Sequence, residues 1–320
     1  LYRVSDQLLK HKEALEHFLF SRERSLFDLE EVITLYDLTN TYFEGGGTRN
    51  ANAAFGKSKE KRSDCVLVTL ALVLDASGFP KRSEVFAGNA SEPQTLATMV
   101  GKLASEHRGP TPTVVLDAGI ATEENIAWLR EHGYRYVVVS RKRHRQFDPD
   151  AAVLIKEEAD LCIRAQRVVN AETGEVELYC HSSQRELKEQ GIAERFAKRF
   201  EELLQKLADG LHQKGTVKRY DKILERIGRM KEKYSRAAQY YDITVIRDAD
   251  TDKATAIHWK RITPIDDTLP GVYCLRTNQD QWDETTLWYT YTMLTDLESV
   301  FRCLKSELGL RPVYHHTTDR

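Results

Sequence analysis

The sequence predicts an α/β protein whose mixed-sheet core is interrupted, before its last helix, by a large and partly helical insertion. Three observations predict it. Three strand-like runs follow one another between residues 31 and 90 with only loops and turns between them. From residue 113, short apolar strands alternate with helices, as strands of a parallel sheet do. Residues 143–270 are richer in charge and largely helical, after which a strand and a long amphipathic helix return.

In chain order, residues 1–30 read as a helix, with Leu8, Leu9, Leu15, Phe18 and Leu19 at roughly helical spacing up to Ser25. Val32–Leu38 is the first strand. Gly45-Gly46-Gly47 then opens a long basic loop, residues 44–62, with the composition of a mobile segment. Cys65–Leu74 and Arg82–Phe86 are the next strands, joined through the turn sequence Asp75-Ala76-Ser77-Gly78. Pro93–Ala104 is helical, with Leu96, Met99, Val100 and Leu103 on one face. Val114–Leu116 is a buried strand. Thr122 caps a following helix, with Glu123 and Glu124 in the first turn where they suit the helix dipole, and Gly133 ends it. Tyr136–Val139 is the fifth strand. The order β-β-β-α-β-α-β is that of a ribonuclease H-like core.

Beyond this core lie strand-like Val153–Ile155, Leu161–Gln166 and Glu175–His181. Helices over Leu187–Leu211 and Lys218–Tyr234 form a pair around Gly215, and strands follow at Tyr241–Ile246 and Lys253–Trp259. Val272–Arg276 and a helix over Thr285–Leu308 return to the core. The expected organisation is a helical N-terminal remnant (1–30), the first part of the core (31–142), an inserted domain with a long helical hairpin (143–270), and a truncated last part of the core (271–320).

Composition narrows the class. A chain of 320 residues, 41% hydrophobic and 30% charged, can bury a sizeable core and reads as soluble. No apolar run approaches the ~18 residues of a membrane helix and no signal peptide is visible, so the expected location is the cytoplasm. The net charge of −2 offers no global support for nucleic-acid binding. It conceals two concentrated basic runs, Lys57-Ser58-Lys59-Glu60-Lys61-Arg62 and Arg141-Lys142-Arg143-His144-Arg145, which read as solvated loops. Five cysteines without a C-x-x-C pair argue against structural zinc.

Three acidic residues interrupt core elements. Asp37 ends the apolar part of Ile33-Thr34-Leu35-Tyr36-Asp37, and Asp117 ends Val114-Val115-Leu116-Asp117. A lone buried charge is costly, so a carboxylate in such a run needs a partner or solvent; each also fits a strand end facing water. Asp75 sits in a similar run, Leu72-Val73-Leu74-Asp75, but precedes a hairpin turn where aspartate is an ordinary turn residue. Asp117 precedes a helix at a strand's carboxyl end, where open α/β sheets place their sites.

On the last helix, Leu294, Leu297, Phe301, Leu304 and Leu308 form the core stripe, while Tyr291, Glu298 and Lys305 recur every seven residues along its edge. Three carboxylates on rigid elements facing one cleft are what a pair of hard divalent cations needs for in-line phosphoryl displacement.

These segments resemble the bacterial insertion-sequence transposases of the DDE type, in the group with a Tyr-Arg-Glu-Lys signature. The resemblance rests on Tyr36-Asp37-Leu38-Thr39-Asn40-Thr41-Tyr42-Phe43-Glu44-Gly45, on Leu116-Asp117-Ala118-Gly119-Ile120-Ala121-Thr122, and on Tyr291, Glu298 and Lys305 continued by Arg311-Pro312-Val313-Tyr314-His315. It implies that Asp37, Asp117 and Glu298 hold two Mg²⁺ ions, with Mn²⁺ a substitute. Water would cut the transposon end, and the freed 3′-hydroxyl would attack target DNA. Tyr291 and Lys305 would contact backbone phosphate. The implied partners are double-stranded DNA at transposon ends and target, and a second copy of the chain in a synaptic complex.

The signature's arginine falls at Leu294, and Arg302, four residues beyond Glu298, is the candidate to replace it. Trp282 and Trp288 are candidates to stack on a flipped base or simply to pack. Two rival readings remain: a catalytically inactive DNA-binding remnant, and a ribonuclease H-like nuclease without strand transfer. The D-x-D-x-T motif of haloacid-dehalogenase-like phosphatases is lost because Thr39 replaces its second aspartate.

Overall fold

The computed structural model describes residues 2–27, 33–59, 61–104, 111–141, 145–262 and 269–318. The expected strand start at Val32, the loop residue Glu60, the middle of the second basic run (142–144) and the side chain of Leu103 lie outside them. The described chain divides into two compact units. The first is Leu1–Arg141, Ala165–Tyr179 and Tyr273–Arg320; the second is Lys142–Arg164 and Cys180–Val272. Within the stretch 143–270, residues 165–179 thus belong with the core, because they form parts of two strands that extend its sheet.

The first unit is built on β1 (Ile33–Tyr42), β2 (Leu67–Asp75), β3 (Pro80–Ala87), β4 (Thr113–Leu116) and β5 (Arg135–Val139). Beyond β5 stand β11 (Val272–Thr277), β8 (Val176–Ser182) and β7 (Leu161–Val169), so the sheet order is β3-β2-β1-β4-β5-β11-β8-β7. The pairs β1–β2 and β2–β3 are antiparallel, β1–β4 and β4–β5 parallel, and β5–β11 antiparallel again. The mixed α/β sheet expected from the strand pattern is therefore present. The first strand runs longer than the sequence suggests: β1 continues four residues past Leu38, because the polar Thr39, Asn40 and Thr41 are buried within it.

Helices α3 (Glu92–Ala104) and α4 (Glu123–Glu131) cover one face of this sheet. Leu96, Met99, Val100, Ile126 and Leu129 pack there on Tyr36, Leu38, Val114, Leu116, Tyr136 and Val138. Each such buried aliphatic side chain contributes about 1.5–3 kcal/mol. Tyr36 is wholly buried, and its hydroxyl donates to Thr95 Oγ1 at 2.7 Å. Thr122 Oγ1 caps α4 by accepting from Asn125 N at 3.2 Å, as its sequence position suggests.

The helix expected over 1–30 is divided at His11 into α1 (Tyr2–Lys10) and α2 (Lys12–Phe27), and no described residue of α2 is buried. Polar contacts attach it to β3 instead: Arg82 donates to Glu13 at 2.9 Å and Ser83 Oγ to Glu16 at 2.6 Å. The loop 44–62 is tied down rather than loose. Ala54 bridges to Leu67, Gly88 N–H donates to Asn52 O at 2.9 Å, and a Cβ at Gly88 would lie 2.1 Å from Leu67 O. Only glycine fits there, where two backbones pass in contact.

In the second unit, α5 (Ser183–Gly210), α6 (Tyr220–Lys233) and the short α7 (Ser235–Ala238) pack with the hairpin of β9 (Tyr241–Arg247) and β10 (Ala254–Arg261). Phe200, Leu204, Ala237 and Tyr241 form one cluster; Leu211, Ile223, Ile227 and Ile257 form another. Strand β6 (Val153–Glu158) also lies in this unit.

The last helix is two helices. α8 (Glu284–Thr292) and α9 (Leu294–Ser306) meet at Met293. Asp283 caps α8 by accepting from Thr286 N at 2.7 Å. In α9, Leu297 and Phe301 are buried and Leu294 and Leu304 half-buried, but Leu308 lies beyond the helix and is 71% exposed. The core stripe is thus shorter than expected. Tyr291 belongs to α8, whereas Glu298 and Lys305 share α9.

Candidate active site

Strand register organises the two aspartates. On adjacent parallel strands, Tyr36 pairs with Leu116, the last residue of β4. Asp37 is the next residue of β1 and Asp117 the first residue past β4, so both directly follow this register pair. Tyr36, Leu38, Val114 and Leu116 point into the cluster beneath α3 and α4. Alternation along β1 therefore sends Asp37 to the opposite face. That is the face left for α9, which packs against β1 through a helix whose buried residues, Leu297 and Phe301, lie outside the α3–α4 cluster.

The two carboxylates differ in setting. Asp37 lies within β1, with 16% of its side chain exposed, and its Oδ1 is 3.8 Å from Lys59 Nζ. Lys59 Nζ also donates to Leu38 O. Asp117 is exposed just past β4, and its carboxylate accepts from Ala118 N–H. Its carbonyl accepts from Ile120 and Ala121 N–H, both at 3.1 Å, so the chain turns sharply toward the α4 cap. Arg141, just after β5, reaches back over this turn. Its Nε donates to Ala118 O at 2.5 Å and its Nη2 to Gly119 O at 2.6 Å.

Asp75 is held as a turn residue. Its Oδ1 accepts from Ser77 N–H and Phe79 N–H, each at 2.9 Å, and Gly78 adopts φ +85° in the hairpin. These bonds are those of a buried turn residue.

Glu298 and Arg302 are exposed on α9; Lys305 and Tyr291 are half-buried. Trp288 packs: it is buried, its Nε1–H donates to Tyr273 Oη at 2.7 Å, and Tyr289 meets it edge-on. Trp282 is half-buried and its carbonyl accepts from Arg167 at 2.6 Å.

The chemistry of the donor set fits a hard divalent cation, which prefers carboxylate oxygens and keeps several waters. Asp37 on β1 and Asp117 just past the end of β4 supply two such donors. Among the described residues, no group of three or more acidic, histidine or cysteine side chains stands close enough to hold an ion, so Glu298 does not close a three-carboxylate cluster in this structure.

Sequence reasoning missed Lys59 and Arg141. Both lie in the basic runs that read as solvated loops. The signal was their position, each in a run flanking a strand that borders the aspartates.

Deeper in the same unit, Glu175 and Arg276 form a buried charge network. Arg276 donates to Glu175 Oε2 at 2.7 Å and to Glu123 Oε1 at 2.5 Å, and Tyr136 Oη donates to Glu175 Oε1. Burial works against the Arg276 charge, but hydrogen bonds to Glu123 and Glu175 outweigh it and hold the pKa above its ordinary value. Burial, then the bond to Glu175, pushes the Tyr136 phenol upward as well. Through Glu123 this network grips the first turn of α4, which follows the Asp117 turn.

Comparison with known proteins places the chain. No curated protein matches it. Among solved structures, a piggyBac transposase synaptic complex with hairpin DNA, determined by cryo-EM, aligns at 14% identity and a TM-score of 0.29. The alignment covers 52% of this chain and 38% of that one, a likeness too slight to carry an argument. The family model of the transposase DDE domain matches residues 29–320, nearly the whole chain. The chain belongs to the transposase DDE domain family.

Proposed function

We propose that this protein is a DDE transposase of the Tyr-Arg-Glu-Lys group, built on a ribonuclease H-like core, that cleaves DNA strands at insertion-sequence ends and joins them to target DNA. The observation that carries the reading is that Asp37 and Asp117 each directly follow the register pair Tyr36–Leu116 of two adjacent parallel strands, in a chain of this family. Asp37, Asp117 and Glu298 would hold two Mg²⁺ ions, or Mn²⁺ in their place. Such ions lower the pKa of bound water and neutralise charge on the attacked phosphate.

The chain's own residues do the rest. Strand β1 fixes the Asp37 backbone, β4 leads into Asp117, and Arg141 orients the turn after it. Lys305, Arg302 and Tyr291 would bind backbone phosphate, with lysine acting as a point cation. Catalysis is then mainly positioning and charge stabilisation. DNA ends and target are the substrates, and joining two ends requires a homodimer. Function in the cytoplasm is part of the same reading.

A strand-joining assay with a pre-cleaved transposon end tests it. Joined product in Mg²⁺ is expected; cleavage without joining would leave a ribonuclease H-like nuclease. The other alternative, a DNA-binding remnant without turnover, draws on Leu294 at the signature's arginine position and on the exposed Glu298. Metal-independent DNA binding without nicking would establish that reading.

A further inference from the structure

We propose that Lys59 is an active-site residue that holds the place of a divalent cation at Asp37 and must yield when the metal binds. This rests on the reading of Asp37 as a metal ligand. A carboxylate mostly covered by protein needs a compensating charge, and the Lys59 ammonium, 3.8 Å from Asp37 Oδ1, supplies it.

The ammonium is delivered to that point by a built anchor. Asn40, three residues beyond Asp37 and itself buried, clasps the loop backbone from both sides. Its Nδ2 donates to Lys57 O at 2.9 Å, and its Oδ1 accepts from Lys59 N–H at 3.1 Å. These bonds use only backbone atoms of the loop, so they hold whichever way the Lys59 side chain turns. The side chain meanwhile lies along β1, bonded to Leu38 O and paired with Asp37.

An ammonium and a divalent cation cannot share one carboxylate oxygen without strong like-charge repulsion. Metal entry therefore displaces the Lys59 head while Asn40 keeps its backbone in place. The freed ammonium stays tethered beside the site, within reach of a substrate phosphate. Lys59 acts on the metal through Asp37 and is in that sense a positioning residue.

The test is Mn²⁺ binding to the DNA-free protein, followed by loss of the free-ion electron paramagnetic resonance signal, in wild type, Lys59→Gln, Lys59→Arg and Asp37→Asn. Lys59→Gln is expected to bind Mn²⁺ roughly two- to five-fold more tightly than wild type, a range set by the loss of one partly exposed competing charge. Lys59→Arg, which keeps the charge, should bind close to wild type, and Asp37→Asn should bind far more weakly. Unchanged or weakened affinity in Lys59→Gln, with Asp37→Asn still impaired, overturns the role of Lys59 and leaves the site reading intact. Wild-type affinity in Asp37→Asn overturns the metal-site reading and this proposal with it.

Discussion

Asp37, within β1, and Asp117, the first residue past β4, each follow directly on the parallel-strand pair Tyr36–Leu116. The relationship comes from backbone register, so it survives changes in either side chain. Asp37→Asn and Asp117→Asn should each lower Mg²⁺-dependent nicking of a plasmid carrying the element's ends at least about a thousand-fold, the scale of losing a group that acts on the transition state. Binding of end DNA, followed by gel shift, should change little. Nicking within ten-fold of wild type in either variant would remove that aspartate from the site.

Arg141 clamps the turn that follows Asp117 through two carbonyl oxygens. Arg141→Ala should leave the melting temperature within a few degrees, since the side chain is exposed, but lower turnover by about ten-fold through misplacement of Asp117. Hydrogen exchange at residues 118–121 should quicken in parallel. Unaltered exchange there would show that the clamp does not order the turn.

The pairing of Arg276 with Glu175 is buried on both sides. Removing one member leaves the other uncompensated, a loss of about 3–5 kcal/mol for such pairs. Arg276→Met should therefore shift the urea midpoint far more than Arg302→Met, an exposed arginine on α9. Equal shifts would mean the network is not important to stability.

Glu23 carries a pH signature. Burial, and then the charge of Asp75, raise its pKa above the usual 4.5. Glu23 Oε2 and Asp75 Oδ2 are both buried without a hydrogen-bond partner. A raised value in the folded state means that folding favours the protonated acid. Its contribution is fully present below the unfolded value and is lost as pH rises through the folded one. Glu23→Gln should therefore melt higher than wild type at pH 7, with the advantage disappearing by about pH 4. Melting curves at the two values check this; a constant difference would locate the effect in packing.

Much of this architecture was legible in the chain. Strand runs and the alternation after residue 113 yield the mixed sheet, because apolar β-branched runs have few other places to go. The distinction between Asp75 and Asp117 followed from what comes next in the sequence, a turn in one case and a capped helix in the other. The break at Met293 was not legible, since its backbone angles remain helical and no proline or glycine marks it. Nor were Lys59 and Arg141, whose contacts with β1 and the Asp117 turn depend on how distant loops fold back. Residues 165–179 could not be assigned to the core from charge content, because their partners, Tyr136 and Arg276, are remote in sequence.

The most direct test of the central claim is the position of metal. Crystals of the protein with end DNA, grown in Mn²⁺ and measured at the manganese edge, should show an anomalous peak about 2.2 Å from carboxylate oxygens of both Asp37 and Asp117, with Glu298 drawn to the same centre. A peak bound by other residues, or Asp37 still paired with Lys59 beneath well-ordered DNA, would contradict it.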